Sequence, residues 1–264
     1  MLCVAGLDPT GGAGLLADVA ALASVSVRAA GVVTALTVQR PHGDARFVPV
    51  DAALVDQMLG ALADDLPIAA IKVGMIGAGP VAHIVAKHLT RLSAKAPLVV
   101  DPVLNAGAGG SLADDETIAV LRRELLPRAT LITPNIPEAE ALTGLAIRSL
   151  ADMERAAEQL RAAGAQYVLI KGGHLPGEPV DLLIGPGERR TWRAPRFHGG
   201  VVHGTGCALS SLAAGHLACG AAVPEAVDRA IAAVRRAIDG SWTPVPEGWR
   251  FLGSLRWPNL SRER

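Results

Sequence analysis

Short apolar runs alternate along this chain with longer Ala- and Leu-rich stretches whose apolar residues recur at helical spacing, and this alternation narrows the fold more than any other feature. Runs too short for a helix read as strands, and strands separated by helical stretches form βα units that feed a mostly parallel sheet. Strands are expected at residues 2–6, 28–38, 69–74, 98–101, 130–133 and 167–171, with helices at 12–24, 52–63, 80–92, 115–126, 136–142, 150–163, 205–219 and 224–238. After Lys171 the texture changes: 180–184 and 189–194 flank Gly185-Pro186-Gly187 and read as an antiparallel hairpin on the sheet edge. The expected fold is α/β, a central mostly parallel sheet flanked by helices on both faces with a small antiparallel edge. A chain of 264 residues can bury one large core, so 1–241 is taken as a single domain. Residues 242–264, rich in Trp, Pro and Arg, show no clear periodicity and are expected to wrap the surface or fray.

The 25 basic and 25 acidic residues cancel, and no basic cluster is dense enough to follow a nucleic-acid backbone. No uninterrupted apolar run reaches membrane-spanning length, and the first residues lack a basic leader before a cleavable apolar segment. A soluble, cytoplasmic protein is therefore expected. The three cysteines, Cys3, Cys207 and Cys219, form no metal-spaced pair and no disulfide framework; Cys3 and Cys219 lie in apolar stretches and are expected to pack there.

Chemistry enters with His203-Gly204-Thr205-Gly206-Cys207-Ala208-Leu209-Ser210-Ser211. The glycines let backbone N–H groups converge on an anion, and the following apolar run supplies a helix whose positive end faces it. A cysteine on that first turn is expected to be acidified and able to accept or shuttle a proton. The plainer alternative is a glycine turn before a buried helix, with Cys207 as a small core residue.

In open α/β sheets ligands gather at the carboxyl ends of strands, so the polar residues just past each expected strand decide between these readings. They are Asp8, Gln39, Met75 with Gly74, Asp101, Asn135 with Glu138, and Lys171. Asp101 and Glu138 are hard oxygen ligands of the kind a hydrated Mg²⁺ takes when it bridges to phosphates, although Glu138 could simply favour its helix N-terminus. Lys171 could reach a nucleotide phosphate. Together with the glycine cradle these residues describe a phosphoryl-transfer site. The stretch Gly12-Ala13-Gly14-Leu15-Leu16-Ala17 also fits a dinucleotide fingerprint, but the acid expected at the end of the second strand is missing from 29–39. No G-x-x-x-x-G-K-[ST] occurs, which removes the P-loop class.

The co-ordered motifs Ala5-Gly6-Leu7-Asp8-Pro9-Thr10-Gly11-Gly12-Ala13-Gly14 with Ala17-Asp18, Thr34 to Gln39, Lys72-Val73-Gly74-Met75, Asp101-Pro102-Val103, Thr133-Pro134-Asn135 with Glu138-Ala139, Lys171-Gly172-Gly173-His174 and His203 to Cys207 closely resemble the bacterial hydroxymethylpyrimidine/phosphomethylpyrimidine kinases of thiamine biosynthesis. The resemblance implies a ribokinase-like fold and ATP- and Mg²⁺-dependent phosphorylation of 4-amino-5-hydroxymethyl-2-methylpyrimidine and then of its monophosphate. It implies that Gln39 hydrogen-bonds the aminopyrimidine, that Met75 packs on its ring, and that Gly6, Ala13 and Asp18 complete the pocket. It further implies that Asp101 and Glu138 serve the Mg²⁺ network, that Asn135 and Lys171 lie near the ATP phosphates, and that the protein is a homodimer. Cys207 would occupy the base position, with the backbone N–H groups of Gly204, Thr205, Gly206 and Cys207 stabilising charge on the transferred group. The chain departs from the family pattern at 40–44 and 104–111, two expected lids. A pyridoxal kinase on the same scaffold and a non-catalytic pyrimidine sensor are the alternatives.

Overall fold

The computed structural model describes residues 1–39, 46–105, 110–175, 177–243 and 248–255. Its nine-stranded sheet runs in the order β3-β2-β1-β4-β5-β6-β7-β8-β9. The strands are β1 (Leu2–Leu7), β2 (Ala30–Val38), β3 (Arg46–Pro49), β4 (Ile71–Val73), β5 (Leu98–Val100), β6 (Leu131–Ile132), β7 (Tyr167–Ile170), β8 (Val180–Gly185) and β9 (Glu188–Arg193). From β2 to β7 every pairing is parallel. The expected hairpin, β8 and β9, adds antiparallel strands at one edge. A second antiparallel edge, β3 on β2, lies outside the expected strands because its side chains are mostly exposed and its run mixes charge with apolar residues.

Alternation along each parallel strand sends side chains to opposite faces, and both faces are covered. Leu2 and Val4 join the core formed with α2 (Ala52–Asp65), α3 (Gly79–Leu92), α4 (Asp115–Val120), α5 (Ile136–Thr143) and α6 (Leu150–Ala162). Cys3 and Ala5 face α1 (Gly14–Ser24), while Val99, Leu131 and Leu169 face α7 (Thr205–Ala218) and α8 (Val223–Asp239). The helix expected at 115–126 changes winding along its length: after Val120 it widens into a π turn over Leu121–Leu125 and tightens into a 3₁₀ turn at Leu126–Arg128, around Pro127. Among the described residues no helix is long and apolar enough to cross a membrane.

Two features of this topology position the site. From β1 the chain passes through α1 to β2 on one side, whereas from β4 it passes through α3 to β5 on the other, which opens a crevice between the carboxyl ends of β1 and β4. Beyond the expected domain, Arg250–Phe251 form β11, paired in parallel with β10 (Val202–His203) just before α7.

Candidate active site

Gly204 has φ +76°, a left-handed conformation that glycine adopts without strain, and it turns the chain from β10 into α7. Backbone N–H groups of the first turn of α7 therefore point outward at the rim of the sheet. Around them lies a cavity of about 350 Å³, whose lining includes Gly6, Ala13, Gln39, Met75, Asp101, Asn135, Glu138, Lys171, Gly204, Thr205, Gly206 and Cys207. Every candidate site residue read from the sequence except Asp18 is in that wall. A side chain at Gly206 would begin 3.0 Å from Lys171 Nζ and 3.8 Å from Asp101 Oδ2, so the strand-end charges stand directly over the cradle.

A second cavity of about 650 Å³ adjoins the first across Lys171, Thr205 and Gly206. Its other walls come from Arg193, Arg196 and Phe197 after the hairpin, from Leu209, and from Ile231, Val234 and Arg235 on α8. Apart from Leu209, which follows the glycine cradle, none of these lies in a motif, and only the apolar stripe of α8 was legible in advance. The site is thus two chambers meeting at one helix N-terminus.

Charges at the junction are paired. Lys171 Nζ donates to Asp101 Oδ1 at 3.0 Å, and Asp101 also accepts from the hydroxyls of Thr133 and Ser210, each at 3.2 Å. Burial alone would raise the Asp101 pKa, but Lys171 and Lys72 outweigh it and hold the carboxyl below its ordinary range. Lys171 likewise stays charged, because burial is overcome by Asp101 and Glu138. Glu138 is the opposite case: burial pushes it up to about 7, although Lys171 pulls it down.

Glu138 and Asn135 also form a capping box on α5. Asn135 Oδ1 accepts from Glu138 N at 2.9 Å, and Glu138 Oε2 accepts from Asn135 N at 2.7 Å. The capping reading of Glu138 is thus borne out, and its buried carboxyl also lines the cavity. Among the described residues no group of three or more His, Cys, Asp and Glu closes round a metal. Two hard carboxylates beside an anion cradle still suit Mg²⁺, which keeps several waters and takes one or two carboxylates plus substrate phosphates.

Three expectations are corrected. Cys219, expected to pack in an apolar stretch, is exposed, because it caps the C-terminal end of α7. Asp18 does not line the cavity; it is fully buried beneath it, with both carboxylate oxygens 2.8 Å from Lys72 Nζ and a hydrogen bond from Ser211 at 2.8 Å. Lys72 alternates with the apolar Ile71 and Val73 on β4 and so points at α1 and α7, where an unpaired ammonium would be costly. Cys207 is not acidified. Burial pushes its thiol up to about 11, and the nearby Lys72 recovers only part of that rise while Asp101 and Asp18 add to it.

At the open end of the smaller cavity, Met75 packs with Ala35, Leu112 and Phe47, and a side chain at Gly6 would lie 2.9 Å from its sulfur, so Met75 would have to shift to admit one. Gln39 Nε2 donates to Thr37 Oγ1 at 3.2 Å at the open end of β2. The departures at 40–44 fall outside the described residues, as do 106–109 of the second; Asn105 and Ser111 bridge at the base of that loop. Asp8 and His203, which carried no assigned role, face each other across the glycine loop, His203 Nε2 lying 2.7 Å from Asp8 Oδ2.

A mostly parallel α/β sheet whose switch-point crevice holds a glycine-opened helix end, a lysine and two carboxylates defines a ribokinase-like small-molecule kinase. The phosphomethylpyrimidine kinase family model matches residues 8–248, and the chain belongs to that family. It is 39% identical to the hydroxymethylpyrimidine/phosphomethylpyrimidine kinase of Streptomyces coelicolor over 94% of each chain. Among solved structures it is similar to phosphomethylpyrimidine kinase from Clostridium difficile (34% identity, TM-score 0.80, 90% of this chain and 98% of that one). It is also similar to an ADP complex of Bacillus subtilis pyridoxal kinase (30% identity, TM-score 0.87, 96% and 97% covered).

Proposed function

We propose that the protein transfers the terminal phosphoryl group of ATP to the hydroxymethyl oxygen of 4-amino-5-hydroxymethyl-2-methylpyrimidine, and then phosphorylates the monophosphate, in the cytoplasm. The observation that carries this reading is the shared wall of the two chambers: Lys171, Thr205 and Gly206 border both. A nucleotide in the larger chamber and a small ring in the smaller one would meet at the first turn of α7.

In this mechanism Met75 offers its thioether to the ring face and Gln39 an amide donor and acceptor to the ring edge. Lys171 and the N–H groups of Gly204 to Cys207 stabilise charge on the transferred group, where most of the catalysis of phosphoryl transfer resides. Asp101 and Glu138 would hold Mg²⁺, partly through water, and the ion would neutralise phosphate charge. With its thiol protonated at neutral pH, Cys207 acts as a relay. It takes the hydroxymethyl proton as it gives its own to a phosphoryl oxygen, late in a loose transition state.

Pyridoxal is the competing acceptor, because the solved pyridoxal kinase shares the scaffold. Gln39 and Met75 favour the aminopyrimidine. Steady-state assays with ATP, Mg²⁺ and each acceptor are expected to give a kcat/KM preference for the pyrimidine of about tenfold or more, because the other ring leaves the half-buried Gln39 amide without a matching partner. A preference for pyridoxal, or binding of the pyrimidine without any phosphorylated product, would overturn the assignment.

We further infer that the protein pairs as a homodimer through the sheet edge. Leu36 and Val48 sit opposite each other on β2 and β3 and are 51% and 66% exposed, with Val38 beside them. Equilibrium sedimentation of a monomer at micromolar concentration would contradict this.

A further inference from the structure

We infer that Trp249, in the segment after α8, is a positioning residue of the kinase: it holds His203 against Asp8 and thereby sets the glycine cradle. The inference rests on the kinase reading above and adds to it a part of the chain outside every site motif. Its indole lies 4.2 Å from the His203 imidazole with the rings 12° from parallel, and only 8% of Trp249 is exposed. At the edge of the imidazole, Asp8 Oδ2 is 2.7 Å from Nε2.

Asp8 organises the first glycine loop. Its carboxylate accepts from Thr10 N and Thr10 Oγ1 at 2.9 Å and from Ala13 N at 3.0 Å. The hydrogen bonds from His203 and Thr10 outweigh burial and keep Asp8 ionised. His203 directly precedes Gly204, and Gly204 lies so close to the Gly12 carbonyl that no side chain fits between them. The imidazole is thus the tie between the loop that follows β1 and the turn that opens α7.

The tie is anchored from behind. Arg250 N donates to Val201 O at 2.8 Å and Gly253 N to Ala237 O at 2.9 Å, which fixes the segment to the strand before the cradle and to the end of α8. Among the described residues the Trp249 indole N–H has no hydrogen-bond partner. A buried tryptophan normally finds one, so this ring is held by its face.

The test uses the full-length enzyme with ATP, Mg²⁺ and the pyrimidine at 25 °C, reading kcat and both KM values beside a thermal melt. Trp249→Ala is expected to lower kcat about tenfold or more with each KM within about threefold, because a cradle displaced by a fraction of an ångström fails in the transition state first. Trp249→Phe, which keeps an aromatic face, is expected to stay within about threefold of wild type. His203→Ala should match Trp249→Ala, and the double variant should be no more than about twofold worse than the weaker single one, since both remove the same tie. Should Trp249→Ala not fold, Trp249→Leu carries the same expectation. Wild-type kcat in the alanine or leucine variant, losses that multiply in the double variant, or a phenylalanine variant as impaired as alanine would overturn the inference. A wild-type enzyme inactive on the pyrimidine would instead sink the functional reading on which it rests.

Discussion

The chemistry of this site is decided by which charges are paired and which are merely buried. Asp18 and Lys72 neutralise each other below the cradle, and Ser211 fills another of the carboxylate's acceptor positions. Removing one partner strands the other in the core, so Asp18→Ala is expected to destabilise the protein by about 3–5 kcal/mol in urea denaturation. The KM for the acceptor should change little at temperatures where the variant is folded. A large KM increase with unchanged stability would restore Asp18 to the pocket wall. Cys207 makes the complementary case. A thiol raised to about 11 is protonated at neutral pH, which favours the proposed relay over a thiolate base. Cys207→Ala is expected to lose about 10²-fold in kcat and Cys207→Ser markedly less, because a hydroxyl can still relay a proton. An alanine variant at wild-type speed would contradict the role. The sequence made the cysteine's place at a helix start legible. It could not reveal the thiol's desolvation, which depends on what β4, β5 and α1 place around it.

At the scale of elements, the strand ends carry the argument. The capping box makes Glu138 the N3 residue of α5 and sets it in the wall of the smaller cavity. Its folded pKa, about 7, lies above the ordinary 4.5, so the protein binds this proton more tightly folded than unfolded. The stabilisation is fully present below about pH 4.5 and is lost as pH rises through about 7. Glutamine preserves the capping box without the charge. Glu138→Gln, without nucleotide or metal, is therefore expected to melt no lower than wild type at pH 8 and to show a flatter loss of stability from pH 5 to 8, while turnover falls about 10²-fold. A variant much less stable at pH 8 would show that burial does not dominate at Glu138. The parallel strands and their helices were legible because fully covered strands must be apolar and their helices amphipathic. Arg46–Pro49 and Arg250–Phe251 were not: each is a short edge strand, set by the partner it pairs with rather than by its own pattern. Of the thirteen candidate site residues drawn from the seven motifs, twelve line the smaller cavity, whereas the larger chamber, built from β9, α8 and the link between β9 and β10, stayed hidden because its residues converge only in the fold.

At the scale of the whole molecule, the fold brings two separately built chambers to one helix end. The proposed acceptor side comes from the loops after β1, β2 and β4, and the proposed nucleotide side from the hairpin and α8, with Lys171 and the α7 turn between them. Such a layout performs transfer by juxtaposition, which is where phosphoryl-transfer enzymes gain most of their rate. It also explains why a segment far along the chain can matter to the reaction, since β10 and β11 brace the shared wall. The most direct measurement is a crystal structure of the enzyme with a non-hydrolysable ATP analogue, Mg²⁺ and the hydroxymethylpyrimidine. The account predicts the terminal phosphate at the backbone N–H groups of Gly206 and Cys207, with the hydroxymethyl oxygen about 3–3.5 Å from its phosphorus, as in a near-attack geometry. A nucleotide bound with its phosphates away from Gly206, or a pyrimidine outside the chamber lined by Gln39 and Met75, would contradict it.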